Sequence, residues 1–192
     1  MPNQKCSKII ILIALVGVFC GIWGFFYWRV NHQVPDVIER KYEENQEFTY
    51  QNVTFTIKDF VVMQHKEFVD TFGIDEGKID VYMDGEEKDA VFTLFARNDT
   101  RTPVEVNILE LMLLETNGWS GYTDLLGLFH EMNPTQNGIL QLKPGEDIEV
   151  LIPYTLYDYS FTKESFEKLE TMPFSVVLSL YPVKTIVELQ KD

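Results

Sequence analysis

Apolar residues follow two rhythms along this chain. From Ile9 to Trp28 they form an unbroken run, IIILIALVGVFCGIWGFFYW, twenty residues without a charge. At about 1.5 Å of rise per helical residue such a run reaches about 30 Å, the hydrocarbon thickness of a bilayer. It predicts a membrane-spanning helix over residues 9–28. From Val53 the rhythm changes to alternation, with Val53, Phe55 and Ile57 set against Thr54, Thr56 and Lys58. That is the two-residue period of a half-buried strand. It returns in Ala90 to Arg97, in Val104 to Ile108 continued by Leu109, Leu111 and Leu113, in Ile148 to Ile152, in Phe174 to Leu180 and in Thr185 to Leu189. Turn signals separate these runs at Asn98 to Pro103, Asn117-Gly118, Pro144-Gly145-Glu146 and Tyr181-Pro182.

Two short helices interrupt the strands. Lys66 to Phe72 places Phe68 and Phe72 four residues apart, with Gly73 in position for a C-cap. Thr162 to Glu170 offers Thr162 as N-cap, Glu164 in the first turn, and Phe166 and Leu169 on one face. About seven or eight strands separated by turns predict a mainly β fold, an antiparallel immunoglobulin-like β-sandwich, with a closed barrel as the alternative. The chain then divides into a cytoplasmic tail (1–8), the transmembrane helix (9–28), a juxtamembrane linker (29–47) whose charged stretch Asp36 to Asn45 reads as a briefly helical spacer, and the sandwich (48–192).

Charge orients the helix. Lys5 and Lys8 precede the apolar run, and Met1 to Trp28 contains no Asp or Glu, so the basic tail is expected to stay in the cytoplasm and the rest to lie outside. Arg29 at the exit weakens this asymmetry without reversing it. Trp23, Tyr27 and Trp28 fall where amphipathic rings settle at the headgroups. A cleaved signal peptide is the rival reading, but its apolar region runs to about 7–15 residues. Phe25-Phe26-Tyr27-Trp28-Arg29 also lacks the small residues that cleavage needs. A retained anchor is expected.

Only two of the 16 Lys and Arg precede Arg29, so the outer part carries 14 basic against 30 acidic residues, a net charge of −16. Such a surface excludes nucleic acid as a partner, and it is expected to stand off anionic headgroups. Both cysteines, Cys6 and Cys20, lie in or before the anchor. The outer domain therefore folds without disulfides, as is ordinary on a Gram-positive surface.

Catalytic motifs come close and fail. Gly118-Trp119-Ser120-Gly121-Tyr122 has tyrosine where a nucleophile elbow needs glycine. His130-Glu131-Met132-Asn133-Pro134 has proline where a zinc-protease helix needs its second histidine. A hydrolase would have to use His65 or His130, and no partner set accompanies either. No enzyme, cofactor or metal site is expected. Asp75 to Asp89 is rich in carboxylates but lacks calcium-loop spacing, and Asp84-Gly85 reads as a hairpin turn. Binding residues are better represented. Trp119 and Tyr122 flank glycines in a candidate loop, and Tyr154, Tyr157, Tyr159, Phe161 and Phe166 crowd one segment. Aromatic rings anchor interfaces, so Trp119, Tyr122, Tyr154, Tyr157 and Tyr159 are the candidate interaction surface. For the crowded segment, packing of the Thr162 helix onto the sandwich end is the favoured alternative.

The order VTFTIKDFVV, VFTLFARNDT, LFHEMNP, LQLKPGEDIEVLIPYTL, VVLSLYPVKTIVEL resembles the uncharacterised immunoglobulin-like domains anchored to the outer face of Gram-positive bacteria. The likeness rests on the strand ending in Asn98, the Pro144-Gly145-Glu146 turn leading to Ile152-Pro153-Tyr154, and Tyr181-Pro182-Val183-Lys184. It implies a fold and an address, and no catalytic residues to carry over. The expected role is a single-pass surface module that binds another envelope protein, as accessory subunit, sensor or immunity-like partner. A calcium or small-ligand receptor is the second expectation, and an envelope hydrolase the third.

Overall fold

The computed structural model describes residues 3–33, 38–75, 77, 85–123 and 127–189. The chain forms two compact units, Met1–Val37 and Ile38–Asp192. The first is a single helix, α1 (Asn3–Gln33). Within it Leu12–His32 is long and apolar enough to cross a membrane, and among the described residues none of this span is buried. The helix extends beyond the apolar run at both ends.

The second unit is a β-sandwich of eleven strands among the described residues: β1 (Ile38–Glu43), β2 (Phe48–Tyr50), β3 (Val53–Gln64), β4 (Glu87–Arg97), β5 (Val104–Asn107), β6 (Leu113–Thr116), β7 (Trp119–Tyr122), β8 (Ile139–Leu142), β9 (Asp147–Tyr157), β10 (Phe174–Ser179) and β11 (Val183–Leu189). They pair as a five-stranded sheet β1-β11-β10-β6-β7, a four-stranded sheet β2-β3-β4-β9 and a small ladder β5-β8. The core lies between the two larger sheets. Phe55, Ile57, Phe92, Leu94, Ile152 and Tyr154 fill it from one side, and Leu114, Val176, Leu178 and Val187 from the other. A bulge between Lys58 and Val61, with Asp59 at φ 54, turns Phe60 inward against Phe174, ring centres 5.1 Å apart. The outer face of the four-stranded sheet carries a second apolar cluster. There Phe68 and Val69 of α2 (His65–Phe72) and Leu128 of α4 (Leu128–Met132) cover Val91.

The predicted helices form. Gly73 adopts φ 66 after α2 and donates its N–H to Val69 O. Thr162 caps α5 (Lys163–Glu167) by accepting from the Ser165 N–H, and a 3₁₀ turn over Leu169–Thr171 takes the place of the helix's expected last residues. Three differences from the sequence reading stand out. The run from Val104 to Leu113 is broken by one helical turn, α3 (Ile108–Leu111), because the Asn107 side chain accepts from the Leu109 N–H and caps it. That turn carries the chain from the small ladder into the five-stranded sheet. Gly138 makes room for it: at φ +80 it donates no side chain where a Cβ would stand 1.8 Å from Leu109 Cδ1. Second, the supposed linker 29–47 contains β1, which pairs parallel with β11, so the sandwich is not wholly antiparallel. Its sequence, IERKYE, hides only Tyr42, stacked on Phe48 at 4.9 Å, and shows no alternation to read. Third, the strand count exceeds the expected seven or eight because short pieces such as β2, β7 and β8 have three or four residues each.

Candidate functional site

Register defines two ends of the five-stranded sheet. At one, Ile38 opens β1 opposite Val183, just past the β10–β11 turn. At the other, Thr116 pairs with Trp119 across the two-residue turn Asn117-Gly118, both at positive φ, the backbone that Asn-Gly supplies at least cost. The four-stranded sheet contributes the segment after β9 to this second end, since the Trp119 and Phe161 rings lie 5.6 Å apart.

A cleft of about 620 Å³ opens at that end, lined by the β6–β7 turn with Trp119 and Ser120, by Pro173 to Ser175, and by Glu188 and Leu189. A neighbouring cleft of about 590 Å³ shares Asn117 and Pro173 with it and adds Glu164 and Lys168. Thr116 ties the floor together by donating its hydroxyl to Pro173 O at 2.7 Å. Two carboxylates face the first cleft, Glu115 and Glu188, each within reach of a lysine: Lys184 Nζ at 3.8 Å and Lys41 Nζ at 3.0 Å.

The five candidate residues separate into three places. Trp119 is half-buried on the core side of the cleft; its ring lies over Gly121, where a Cβ would meet the ring at 2.7 Å. Tyr157 and Tyr159 stack at 5.2 Å and 7° beside the same end, with Tyr159 69% exposed. Tyr122 is exposed, but it ends β7 on the side away from the Asn117-Gly118 turn. Tyr154 belongs to the core: it is 1% exposed, and its hydroxyl donates to Met112 O at 2.9 Å. Desolvation holds that phenol well above its usual range. An alternating strand explains the split, because Tyr154 and Tyr157 are an odd number of residues apart and face opposite sides. Phe161 and Phe166 pack α5 onto the sandwich end, as the alternative reading held.

Sequence reasoning missed a buried polar cluster at the same end. Lys88 and Asp89 are adjacent in β4 and therefore face opposite ways. Lys88, 3% exposed, lies under the Phe166 ring and donates to Glu170 Oε1 at 2.9 Å. Asp89, fully buried on the other face, accepts from the Thr155 hydroxyl at 3.0 Å and holds His65 Nδ1 at 2.6 Å. His65 Nε2 lies 3.2 Å from Glu87 Oε1. Burial pushes the Asp89 carboxyl above its ordinary value, and the His65 and Thr155 contacts pull it part of the way back. The sequence signals this cluster only by two charges placed where the β4 alternation begins.

The motifs that came near to catalysis are spoken for structurally. Ser120 is a strand residue of β7. His130 is exposed, and Asn133 of the same segment is buried and bound to Leu151 of β9. Both His65 nitrogens face carboxylates. Most of the acidic stretch, residues 76 and 78–84, lies outside the described residues, and among the described residues no group of three or more His, Cys, Asp or Glu is arranged to hold a metal.

Comparison with known proteins follows from this geometry. An uncharacterized β-sandwich protein from Clostridium difficile 630 is similar over 81% of this chain and 99% of its own, at 14% identity and a TM-score of 0.44. The yjhA protein from Bacillus subtilis is similar over 78% of this chain and 99% of its own, at 9% identity and a TM-score of 0.46. A conserved hypothetical protein from Bacillus anthracis covers 76% of this chain and 94% of its own, at 19% identity and a TM-score of 0.46. No curated protein matches the sequence. A family profile, that of a domain of unknown function (DUF5028), matches residues 30–185. It takes in β1 and nearly the whole sandwich, and the chain belongs to the DUF5028 family.

Proposed function

We propose that the protein is a single-pass module of a bacterial cell surface, with its N-terminus cytoplasmic, which acts by binding another envelope protein through the Trp119 end of its sandwich. The observation that carries this reading is α1. A helix of 31 residues whose Leu12–His32 stretch is predominantly apolar, with none of that stretch buried among the described residues, has no stable place in water. Lys5 and Lys8 before it and the −16 balance after it favour an inner tail and an outer domain.

Binding, not catalysis, fits what the outer domain offers. Its histidines sit among carboxylates or in the open, while its distal clefts combine an aromatic ring, two carboxylates and an Asn-Gly turn. Aromatic anchors of this kind carry interface energy out of proportion to their number. The partner is then a protein segment with basic or hydroxyl groups, such as suits Glu115 and Glu188.

Crosslinking in intact cells followed by capture of the full chain tests the reading. Trp119→Ala is expected to cost about tenfold or more in captured partner, with the domain still folded. Equal capture by wild type and variant would remove the Trp119 end from the account.

A further inference from the structure

We propose that the other end of the sandwich, where β1 begins, rests on lipid headgroups of the membrane that holds α1; this rests on the anchored reading above. Seven large apolar side chains of the outer domain are exposed among the described residues, and four of them, Ile38, Tyr122, Leu180 and Tyr181, gather at this end, the others being Val61, Ile139 and, at the opposite end, Tyr159. Ile38 is 63% exposed, Leu180 58% and Tyr181 61%. Register brings the three together, because Ile38 pairs with Val183 and Leu180-Tyr181 form the turn immediately before it. Tyr122, 57% exposed, flanks them: it pairs with Leu113, which pairs in turn with Val177 of β10.

This is the end that the chain itself delivers to the bilayer. Residues 34–37 alone join α1 to β1, and five residue steps span at most about 17 Å. Ile38 is therefore tethered within that reach of the helix end. Local charge does not oppose contact: the domain is strongly acidic, yet of Glu39, Arg40, Lys41 and Lys184 here, Lys41 and Lys184 pair with Glu188 and Glu115, which leaves Arg40 to balance Glu39. Tyrosine and leucine beside basic residues are the composition that settles at a membrane interface. The acidic remainder still stands off, so contact is confined to this end.

The test uses the full chain with Cys6→Ser and Cys20→Ser, reconstituted in phosphatidylcholine vesicles, with an environment-sensitive fluorophore on a single introduced cysteine. Tyr181→Cys and Leu180→Cys report the proposed contact, and Tyr159→Cys reports the opposite end. The labels at 180 and 181 are expected to shift to the blue and to be quenched several-fold more by nitroxide-bearing lipid than the label at 159. Retention after an alkaline wash is read on the same samples. A retained protein whose three labels respond alike overturns the contact and leaves the anchor standing. A protein that washes off overturns the anchor and the contact together. Shielding that vanishes when vesicles carry one molecule each assigns the patch to a second copy of the chain, and overturns the lipid proposal.

Discussion

Asn98 shows how much a single buried residue can organise here. Its amide donates to Thr102 O and Leu142 O, its side-chain oxygen accepts from the Thr100 N–H and hydroxyl, and its backbone pairs with Gly145 and Glu146. One side chain thus locks the turn after β4 to the turn before β9. Asp89 plays a comparable part with a charge. Asp89→Ala would leave the Thr155 hydroxyl and His65 Nδ1 without their acceptor, at a cost of about 2–4 kcal/mol, measurable by urea unfolding of residues 38–192. Its carboxyl is raised from 3.8 by burial, so the folded state holds the proton more tightly than the unfolded chain. Its ionised form costs stability at neutral pH, and that cost is relieved as pH falls through the folded value toward 3.8. An Asp89→Asn variant loses this dependence, so the stability of wild type relative to the variant rises on acidification. Gly121→Ala displaces the Trp119 ring. Since Trp119 is the sole tryptophan after Trp28, a shift in the emission of residues 38–192 reports it, and an unchanged spectrum would contradict the packing. Phe68, Phe72 and Gly73 were legible because their signals lie within one helical turn. Lys88 and Asp89 were not: their partners Glu170 and His65 are 82 and 24 residues away, and EEKD after Gly85 reads as a solvated turn.

At the scale of elements, the sandwich edges explain the segments that looked like chemistry. β9 is the outer strand of its sheet and eleven residues long, an invitation to pair with another chain. Asn133 covers it: its amide donates to Leu151 O at 2.8 Å and accepts from Leu151 N–H at 3.0 Å, as a neighbouring strand would. Pro153 has the same parity as Leu151, so its missing N–H falls on the same open edge. Asn133→Ala is expected to cost about 1–3 kcal/mol and to increase concentration-dependent association in sedimentation velocity; a monomer of unchanged stability would contradict the capping role. β1 was invisible for a related reason. Strand alternation is written by one buried face, and β1 buries almost nothing, being held by its backbone on β11. A fragment starting at residue 48 bares that edge of β11, and its melting midpoint is expected to fall by at least about 5 °C relative to residues 38–192. Strands that carry an alternating or continuous apolar run, β3, β4, β9 and β10, could be read directly. The break at α3 could not, because Leu109, Leu111 and Leu113 keep an apolar period through a change of direction.

At the scale of the whole molecule, the sandwich has a polarity that no local pattern announces. The chain enters at the Ile38 end, while Trp119, Tyr157 and Tyr159 gather at the other. Of five aromatic candidates chosen by sequence, Trp119 lines the cleft, Tyr157 and Tyr159 stack on each other, and Tyr154 is buried, because composition finds rings and only topology decides which side of a sheet they occupy. The polarity gives anchor and binding end separate roles, provided that α1 crosses a membrane with its basic end inside. That is tested most directly by a membrane-impermeant thiol reagent on intact cells expressing the Tyr159→Cys full chain. Tyr159 is 69% exposed and Cys6 precedes the apolar run. The account predicts that the cysteine at 159 is labelled in intact cells and Cys6 only after lysis; labelling of Cys6 in intact cells with protection at 159 would contradict it.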